Sequence, residues 1–461
     1  MTISPPPLYS VSTFHSAATD LKHALTEATT PVAAAGKPLH TKHLNVENPV
    51  PVNVFNYTGA VFDNDEDYKF AEFLPSFPEI SLPALTPTPF TDRGLFASPG
   101  KATLYAEIAD QGGKAVHQTP ALGVEIRGVK LQKLSKAALD DLALLVAERG
   151  IVVFRKQTDL TIEEQLAVGA HWGPPHATDF FTQSTCTRPP VFLVVKVSNT
   201  YMASLPARRV PMSCLSFALR FVVVYADKGA RPDPTAFAKV ELFHSDVTYE
   251  LQPPGPTLLR NLVTPDLGGD TLFSSGAAVF SSFSPHYQQY LESLSAVHSG
   301  HEQARGARGA GQHVRREPIE TVHPVVRVCP STGIKSVFVN AGFTRRIVGV
   351  PKAESDNVLR FLHEQFAVNH DFTWRVKWEK DDVAIWDNRT VNHSALFDFW
   401  PDRRHAVRVT PSAEQPESVA AYEARTGTRA KDWLEERYKA LGATKSVLDS
   451  GVGKKERGFK D

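Results

Sequence analysis

The sequence predicts a mainly β protein with flanking helices, an α+β chain whose strands close into a sandwich or jelly roll. Three observations carry this expectation. From about residue 237 onward, short runs rich in β-branched and aromatic residues recur between Gly- and Pro-containing turns. Phe372, Trp374, Val376 and Trp378 alternate with polar neighbours, as a strand with one buried face does. Helical periodicity is confined to a few segments before, between and after these runs.

The elements follow in chain order. Residues 1–114 read as an extended or poorly ordered N-terminal arm. Prolines are dense there (Pro5-Pro6-Pro7, then Pro75 to Pro89) and no hydrophobic period persists. A catalytic domain is expected over 115–412. It opens with an alternating, half-buried strand at 123–131. Ser135 then offers an N-cap to a helix with a stripe of Leu139, Leu142, Leu145 and Val146, and Gly150 stops it. Residues 151–154 form a buried strand, and Thr161 caps a short helix that ends before Gly173-Pro174. Further strands are expected at 257–263, 271–274, 325–328, 336–340, 372–378, 383–386 and 405–410. A helix at 353–366 has Pro351 near its start. Residues 413–461 read as a helical tail with one or two exposed helices and a polar end.

Bulk properties narrow the function. The chain has 461 residues, 42% of them hydrophobic, and 50 basic against 50 acidic side chains. That balance favours neither nucleic acid nor an anionic membrane surface as a partner. Its cysteines, Cys186, Cys214 and Cys329, form no CxxC pair, which fits a reducing, cytoplasmic compartment. No secretion signal or long apolar run is evident. Residues 197–220 stand apart: they contain Met202, Met212 and Cys214 and no acidic residue. They read as an atypical insertion. Their Val197-Ser198 start is what a GTGAGT-type splice donor encodes, so a translated intron and a genuine surface insertion are the two expectations.

His244-Ser245-Asp246 follows an apolar lead-in, Val240 to Phe243. In a strand, residues two apart face one side, so imidazole and carboxylate reach one metal. A third ligand, His393, completes two histidines and one carboxylate, a set that leaves positions open for an oxoacid and dioxygen. The same donors suit zinc. Among 17 histidines an HxD pair carries little weight alone; its neighbours give it weight.

Those neighbours are His244-Ser245-Asp246-Val247-Thr248-Tyr249, Gly268-Gly269-Asp270-Thr271-Leu272-Phe273, Phe338-Val339-Asn340 with Gly342-Phe343-Thr344, and Trp386-Asp387-Asn388-Arg389 followed by His393. Together they resemble the taurine/dichlorophenoxyacetate-type (TauD/TfdA) dioxygenases, most closely a fungal alkylsulfonate-dioxygenase-like branch, over roughly 120–196 and 221–412. The resemblance implies a double-stranded β-helix (jelly-roll) core, Fe(II) on His244, Asp246 and His393, and 2-oxoglutarate and O2 as cosubstrates. Thr271 follows Asp246 by 25 residues, and Arg404 follows His393 by 11, the register of this family's 2-oxoglutarate ligands. Arg408 follows His393 by 15, where sulfonate-cleaving members bind the substrate's anionic head. A planar guanidinium takes a carboxylate through paired hydrogen bonds, and the threonine hydroxyl adds one more. The implied reaction decarboxylates 2-oxoglutarate to succinate and CO2 and hydroxylates a small anionic organic substrate.

Some positions depart from the family pattern. The stretch Gly173-Pro174-Pro175-His176-Ala177-Thr178 keeps His176 but has Thr178 where a substrate-binding histidine is expected, which argues against taurine itself. His176, Thr178 and Arg408 are the candidate substrate residues. Trp386 to Arg389 are expected to orient the His393 segment, Arg403 and His405 to point outward or support the site, and the Gly-rich stretch Gly306 to Gly311 to form a loop near its mouth. The resemblance makes a homo-oligomer an expectation. Two rival readings stay open: a catalytically impaired member acting as a binding or regulatory protein, and a zinc-dependent hydrolase.

Overall fold

The computed structural model describes residues 68–70, 73, 81–174, 176, 222–227, 239–309, 313–399 and 401–440. The insertion read at 197–220 and Thr178 lie outside the described residues, as do 1–67 and 441–461. Helix α1 (Ala102–Asp110) leads into β1 (Lys114–His117) and β2 (Val124–Arg127), then α2 (Lys136–Arg149), β3 (Ile151–Phe154) and α3 (Ile162–Trp172). Strand β4 (Val222–Ala226) precedes β5 (Pro256–Val263), β6 (Thr271–Ser275), α4 (Gly276–Ser281), α5 (Pro285–Glu292), β7 (Ser295–Ser299) and α6 (His301–Gly309). Strands β8 (Glu320–Pro324), β9 (Val326–Val328), β10 (Lys335–Val337) and β11 (Thr344–Ile347) lead to α7 (Lys352–Val368). Then come β12 (Thr373–Val376), β13 (Val383–Asp387), β14 (Val391–Ala395), β15 (Arg404–Val409), α8 (Val419–Thr426) and α9 (Trp433–Ala440).

Local signals fix the first helices. The Ser135 hydroxyl accepts from Ala138 N at the start of α2, and Gly150 ends it at φ 71°. Thr161 and Glu164 close a capping box on α3. Both helices start where the sequence places them.

The molecule is mainly sheet with helices packed on it. A seven-stranded sheet runs β1-β2-β3-β13-β5-β15-β4, antiparallel except where β2 meets β3. A three-stranded sheet runs β12-β6-β14. Smaller sheets join β11-β7-β8 and β10-β9. All four residues of β3 are buried because both faces of its sheet are covered. Val152 and Phe154 pack with Leu142 and Val146 of α2, whereas Ile151 and Val153 face a second core. That core draws Leu259, Trp386 and Ala406 from the larger sheet and Phe273, Val376 and Val391 from the three-stranded sheet. Strand parity then sets the face of every β15 residue. Ala406 belongs to this inter-sheet core, so Arg404 and Arg408 share its face. Val407 and Val409 pack on the opposite side with Ile162 and Leu166 of α3.

Three expectations are corrected. The part of the N-terminal segment that is described, from residue 81, is no arm. Leu104 and Ile108 of α1 enter the α2 core, and Asp141 accepts from Ser98 N, Ser98 Oγ and Leu104 N. Its order comes from partners distant in sequence, and its one apolar period, Leu104 and Ile108, is too short to announce them. Gly306 to Gly309 form the end of α6, not a loop. Gly306 and Ala307 are buried there, and Ala304 packs on Tyr249 and Phe343, so small side chains serve close packing. The tail holds two helices, but α8 buries Val419 and Tyr422 and is not merely exposed.

Asp92 ties this N-terminal segment to the middle of the fold, with its carboxylate 2.6 Å from the buried Arg389 guanidinium. Burial alone would raise the Asp92 pKa, but Arg389 and the Gly94 amide outweigh it and hold the group below the usual carboxylate value. A lowered carboxylate stabilises the fold above its unfolded pKa and loses that contribution as pH falls through its folded pKa. Asp92→Asn is therefore expected to cost about 3 kcal/mol at neutral pH in urea unfolding. The gap to wild type should close as pH drops below about 4.

Candidate metal centre

His393 lies in β14, in register with Phe273 of β6. On the other side of β14, His244 forms an antiparallel bridge. The His244 amide donates to the His393 carbonyl at 3.0 Å, and the His393 amide donates back at 2.8 Å. Directly opposed residues present their side chains on one face, and here the ring centroids are 4.4 Å apart. Phe273 stacks on His393 at 5.9 Å and Trp386 lies at 5.0 Å, so the ring has little freedom to turn. His244 Nδ1 is 2.9 Å from the Leu242 carbonyl; it donates there and leaves Nε2 for a metal.

Asp246 reaches the same point by a route that strand parity does not describe. The chain turns immediately after it, with Val247 at φ 39°. Its amide donates to Asn388 Oδ1 at 3.0 Å. Its Oδ1 accepts from an Arg408 NH at 2.8 Å and lies 3.9 Å from His244 Nε2. One ligand atom each from His244, Asp246 and His393 lies within 4.8 Å of the others.

This donor set fits a resident metal. Asp246 Oδ2 and His393 Nδ1 are buried with no hydrogen-bond partner among the described residues, an expensive arrangement unless something else is bound. Burial would raise the Asp246 pKa, but Arg408, His393 and His244 hold it below the usual range, so the carboxylate is charged. Burial and the neighbouring His244 push His393 down to about 3, leaving a neutral imidazole. Charged carboxylate and neutral imidazole are the ligating forms.

A second constellation adjoins the first. Thr271 opens β6, and its Oγ1 accepts from Trp378 Nε1 at 3.0 Å and from an Arg404 NH at 3.3 Å. The Arg404 guanidinium lies 5.8 Å from the Trp378 ring centre. Arg404 and Thr271 are each only 4% exposed, so an anion meeting them would be shielded from water. The neighbouring residues point elsewhere. His405 is buried on the far face, 2.6 Å from the Tyr68 hydroxyl, and Arg403 lies over the Tyr68 ring. The His176 amide donates to the Thr410 carbonyl at 2.8 Å. Its ring is buried, with Nε2 3.6 Å from Glu250 Oε1.

The segment Trp386 to Arg389 does more than orient His393. Arg389 grips Asp387 through two nitrogens at the turn before β14, as expected of a scaffold. Asn388, however, reaches across to the Asp246 amide and anchors its own side chain on Gly255 O and Thr257 Oγ1. That contact and the Trp378 donor are missing from the sequence reading. Trp378 has a signal, since it ends the alternating run that begins at Phe372. Asn388 has none beyond its place beside a ligand strand.

Two imidazoles and a carboxylate beside a buried arginine–threonine pair match the site of a mononuclear, 2-oxoglutarate-dependent dioxygenase. Comparison with known proteins carries this further: the chain belongs to the taurine catabolism dioxygenase TauD, TfdA family, which it matches over residues 114–410. It is 36% identical over 371 residues to a Schizosaccharomyces pombe protein assigned as an alpha-ketoglutarate-dependent sulfonate dioxygenase, covering 80% of this chain and 85% of that one. It is also 36% identical over 360 residues to the Saccharomyces cerevisiae alpha-ketoglutarate-dependent sulfonate dioxygenase, covering 76% of this chain and 79% of that one. Among solved structures, a taurine dioxygenase from Burkholderia xenovorans superposes with a TM-score of 0.51 at 25% identity, covering 67% of this chain and 94% of that one. Family members use iron(II), 2-oxoglutarate and dioxygen.

Titration of the chelator-treated chain with cobalt(II) is expected to saturate at one ion per chain. Asp246→Ala should weaken that binding by about 100-fold or more, because it removes the only charged ligand.

Proposed function

We propose that this chain hydroxylates a small anionic organic molecule, an alkylsulfonate or related sulfur compound. The observation that carries this is Arg408. Arg404 already supplies a guanidinium for one carboxylate, yet β15 presents a second on the same face, 2.8 Å from the Asp246 carboxylate. Asp246 takes one guanidinium nitrogen, and Arg408 Nε is buried with no hydrogen-bond partner among the described residues, which leaves it to receive a substrate's anionic group close to the reacting centre. The sulfonate dioxygenases named among its relatives favour a sulfonate head group.

In this reading His244, Asp246 and His393 hold the iron. Thr271 and Arg404 take the far carboxylate of 2-oxoglutarate, a bidentate match that fixes the cosubstrate in one orientation. Trp378 keeps the threonine hydroxyl oriented. Dioxygen activation coupled to decarboxylation of 2-oxoglutarate to succinate and CO2 is the chemistry that bound iron supplies. Arg408 holds the substrate's anionic group, and His176 and Thr178 are its further candidate substrate residues. His176 is supported there by its backbone bond to Thr410, two residues beyond Arg408. Hydroxylation at the carbon bearing a sulfonate gives a product that collapses to an aldehyde and sulfite. The pairing of a seven-stranded with a three-stranded sheet supports a double-stranded β-helix core. Balanced charge and sparse cysteines support a cytoplasmic enzyme of small molecules, without nucleic-acid or membrane partners, and a homo-oligomer is the assembly we expect.

The test supplies purified chain with iron(II), ascorbate and 2-oxoglutarate, and measures succinate and sulfite against alkylsulfonates, sulfate esters and aryloxyacetates. Substrate-dependent succinate with an alkylsulfonate, abolished in His244→Ala, is the expected result. Arg404→Lys should raise the KM for 2-oxoglutarate about tenfold while leaving that for the sulfonate unchanged, since a point charge replaces a fork. Turnover supported by zinc without 2-oxoglutarate would overturn the reading.

A further inference from the structure

The segment that follows the Asp246 ligand is gripped one residue at a time. Thr248 Oγ1 lies 2.8 Å from His298 Nδ1 and accepts from Asn340 Nδ2 at 3.1 Å. The Tyr249 carbonyl accepts from Thr321 Oγ1, and the Glu250 carbonyl lies 2.8 Å from His323 Nε2. Between Asp246 and Thr248 stands Val247 in the left-handed region, a conformation that a β-branched residue keeps only when its surroundings impose it. The Val247 side chain is itself buried with Tyr249, Ala304 and Phe343, so it cannot relax by swinging outward.

Thr248 is the first side chain past the strained position with an anchor. Its hydroxyl joins two elements that are far apart in sequence. One is β7, through His298, which stacks on Phe338 at 5.6 Å. Burial holds this imidazole well below its ordinary pKa, so it stays neutral. The other is the turn before β11, where Asn340 Oδ1 accepts from Phe343 N and Asn340 O from Thr344 N. The Asn340 amide donates to the hydroxyl oxygen, and the hydroxyl and His298 Nδ1 share one further hydrogen, donated from the side that the imidazole tautomer sets. The motif Phe338-Val339-Asn340 with Gly342-Phe343-Thr344 thus forms a seat for Thr248, and its Val339 carbonyl also accepts from Asn392 beside His393.

We propose that Thr248 is a positioning residue of the metal centre: its hydroxyl, clamped between His298 and Asn340, holds the left-handed turn at Val247 and so aims the Asp246 carboxylate between His244 and His393. This rests on Asp246 being a metal ligand. Groups that orient a metal's ligands affect its affinity strongly even though they never touch it.

The experiment titrates the full chain, freed of metal, with cobalt(II) and follows visible absorbance, with thermal melting of each metal-free protein recorded alongside. Thr248→Val is expected to weaken cobalt binding about tenfold or more and to shift its bands. Thr248→Ser keeps the hydroxyl and should stay within about twofold of wild type. The double variant V247G/T248V should regain most of the loss, because glycine holds the left-handed conformation without a clamp. If Thr248→Val does not fold, Asn340→Ser, which removes the amide donor, takes its place with the same expectation. Wild-type cobalt affinity in Thr248→Val beside a lowered melting temperature would overturn the proposal, as would a Thr248→Ser protein as weak as Thr248→Val. Asp246→Ala separates the two levels. Retained binding there overturns the ligand assignment, whereas loss there with retention in Thr248→Val overturns the clamp alone.

Discussion

The pair of backbone hydrogen bonds between His244 and His393 is the constraint on which the site depends. A metal centre tolerates ligand misplacement of only about 0.5 Å, which flexible side chains cannot guarantee by themselves. Here two ligands far apart in sequence are locked by direct backbone exchange at 3.0 and 2.8 Å. The bridge adds His244 to the edge of the β12-β6-β14 sheet, so the geometry of that sheet becomes the geometry of the metal site. Thr271 comes with it, because β6 pairs with β14 and begins opposite Ala395, two residues beyond His393.

The larger sheet supplies charge to this frame. Strand β15 presents Arg404 and Arg408 toward the smaller sheet, and each meets a partner that is part of the site: Thr271 for the first, Asp246 for the second. Burying the Arg404 guanidinium and half-burying that of Arg408 is costly unless each finds oxygen, and both find it on residues that bind ligands in the proposed reaction. The apolar layer of Phe273, Trp386 and Ala406 excludes water beneath these contacts and strengthens them. The same logic recurs away from the site, where Asp92, Asp387 and Arg389 join the N-terminal segment to the turn before β14.

Much of this was legible in the sequence where the signal was local. Ser135, Thr161 and Gly150 act at helix ends through bonds to neighbours a few residues away, so their residue types suffice. The register of Thr271, Arg404 and Arg408 relative to the ligands was legible only through the resemblance to the dioxygenase family, whose spacings they match. Other features had no local trace. Residues 81–113 are ordered by Asp141 and Arg389, and nothing in their own composition announces those partners. The glycines at the end of α6 looked like loop punctuation, yet they permit close packing. The left-handed Val247 could not be read at all, since valine is the wrong residue for that conformation unless distant groups impose it.

By itself, the sequence determined the donor types and their order, and for those within strands, such as His393, Arg404 and Arg408, the side on which they lie. Those follow from side-chain chemistry and from the two-residue period of extended chain. Only the tertiary structure decided which donors meet: that His244 bridges His393, that Asn388 holds the Asp246 amide, and that Arg408 rests on the ligand carboxylate. Parity assigns a face but not a partner. Partners are chosen by the pairing of strands distant in sequence and by burial that makes an unpaired charge or amide too costly to leave alone.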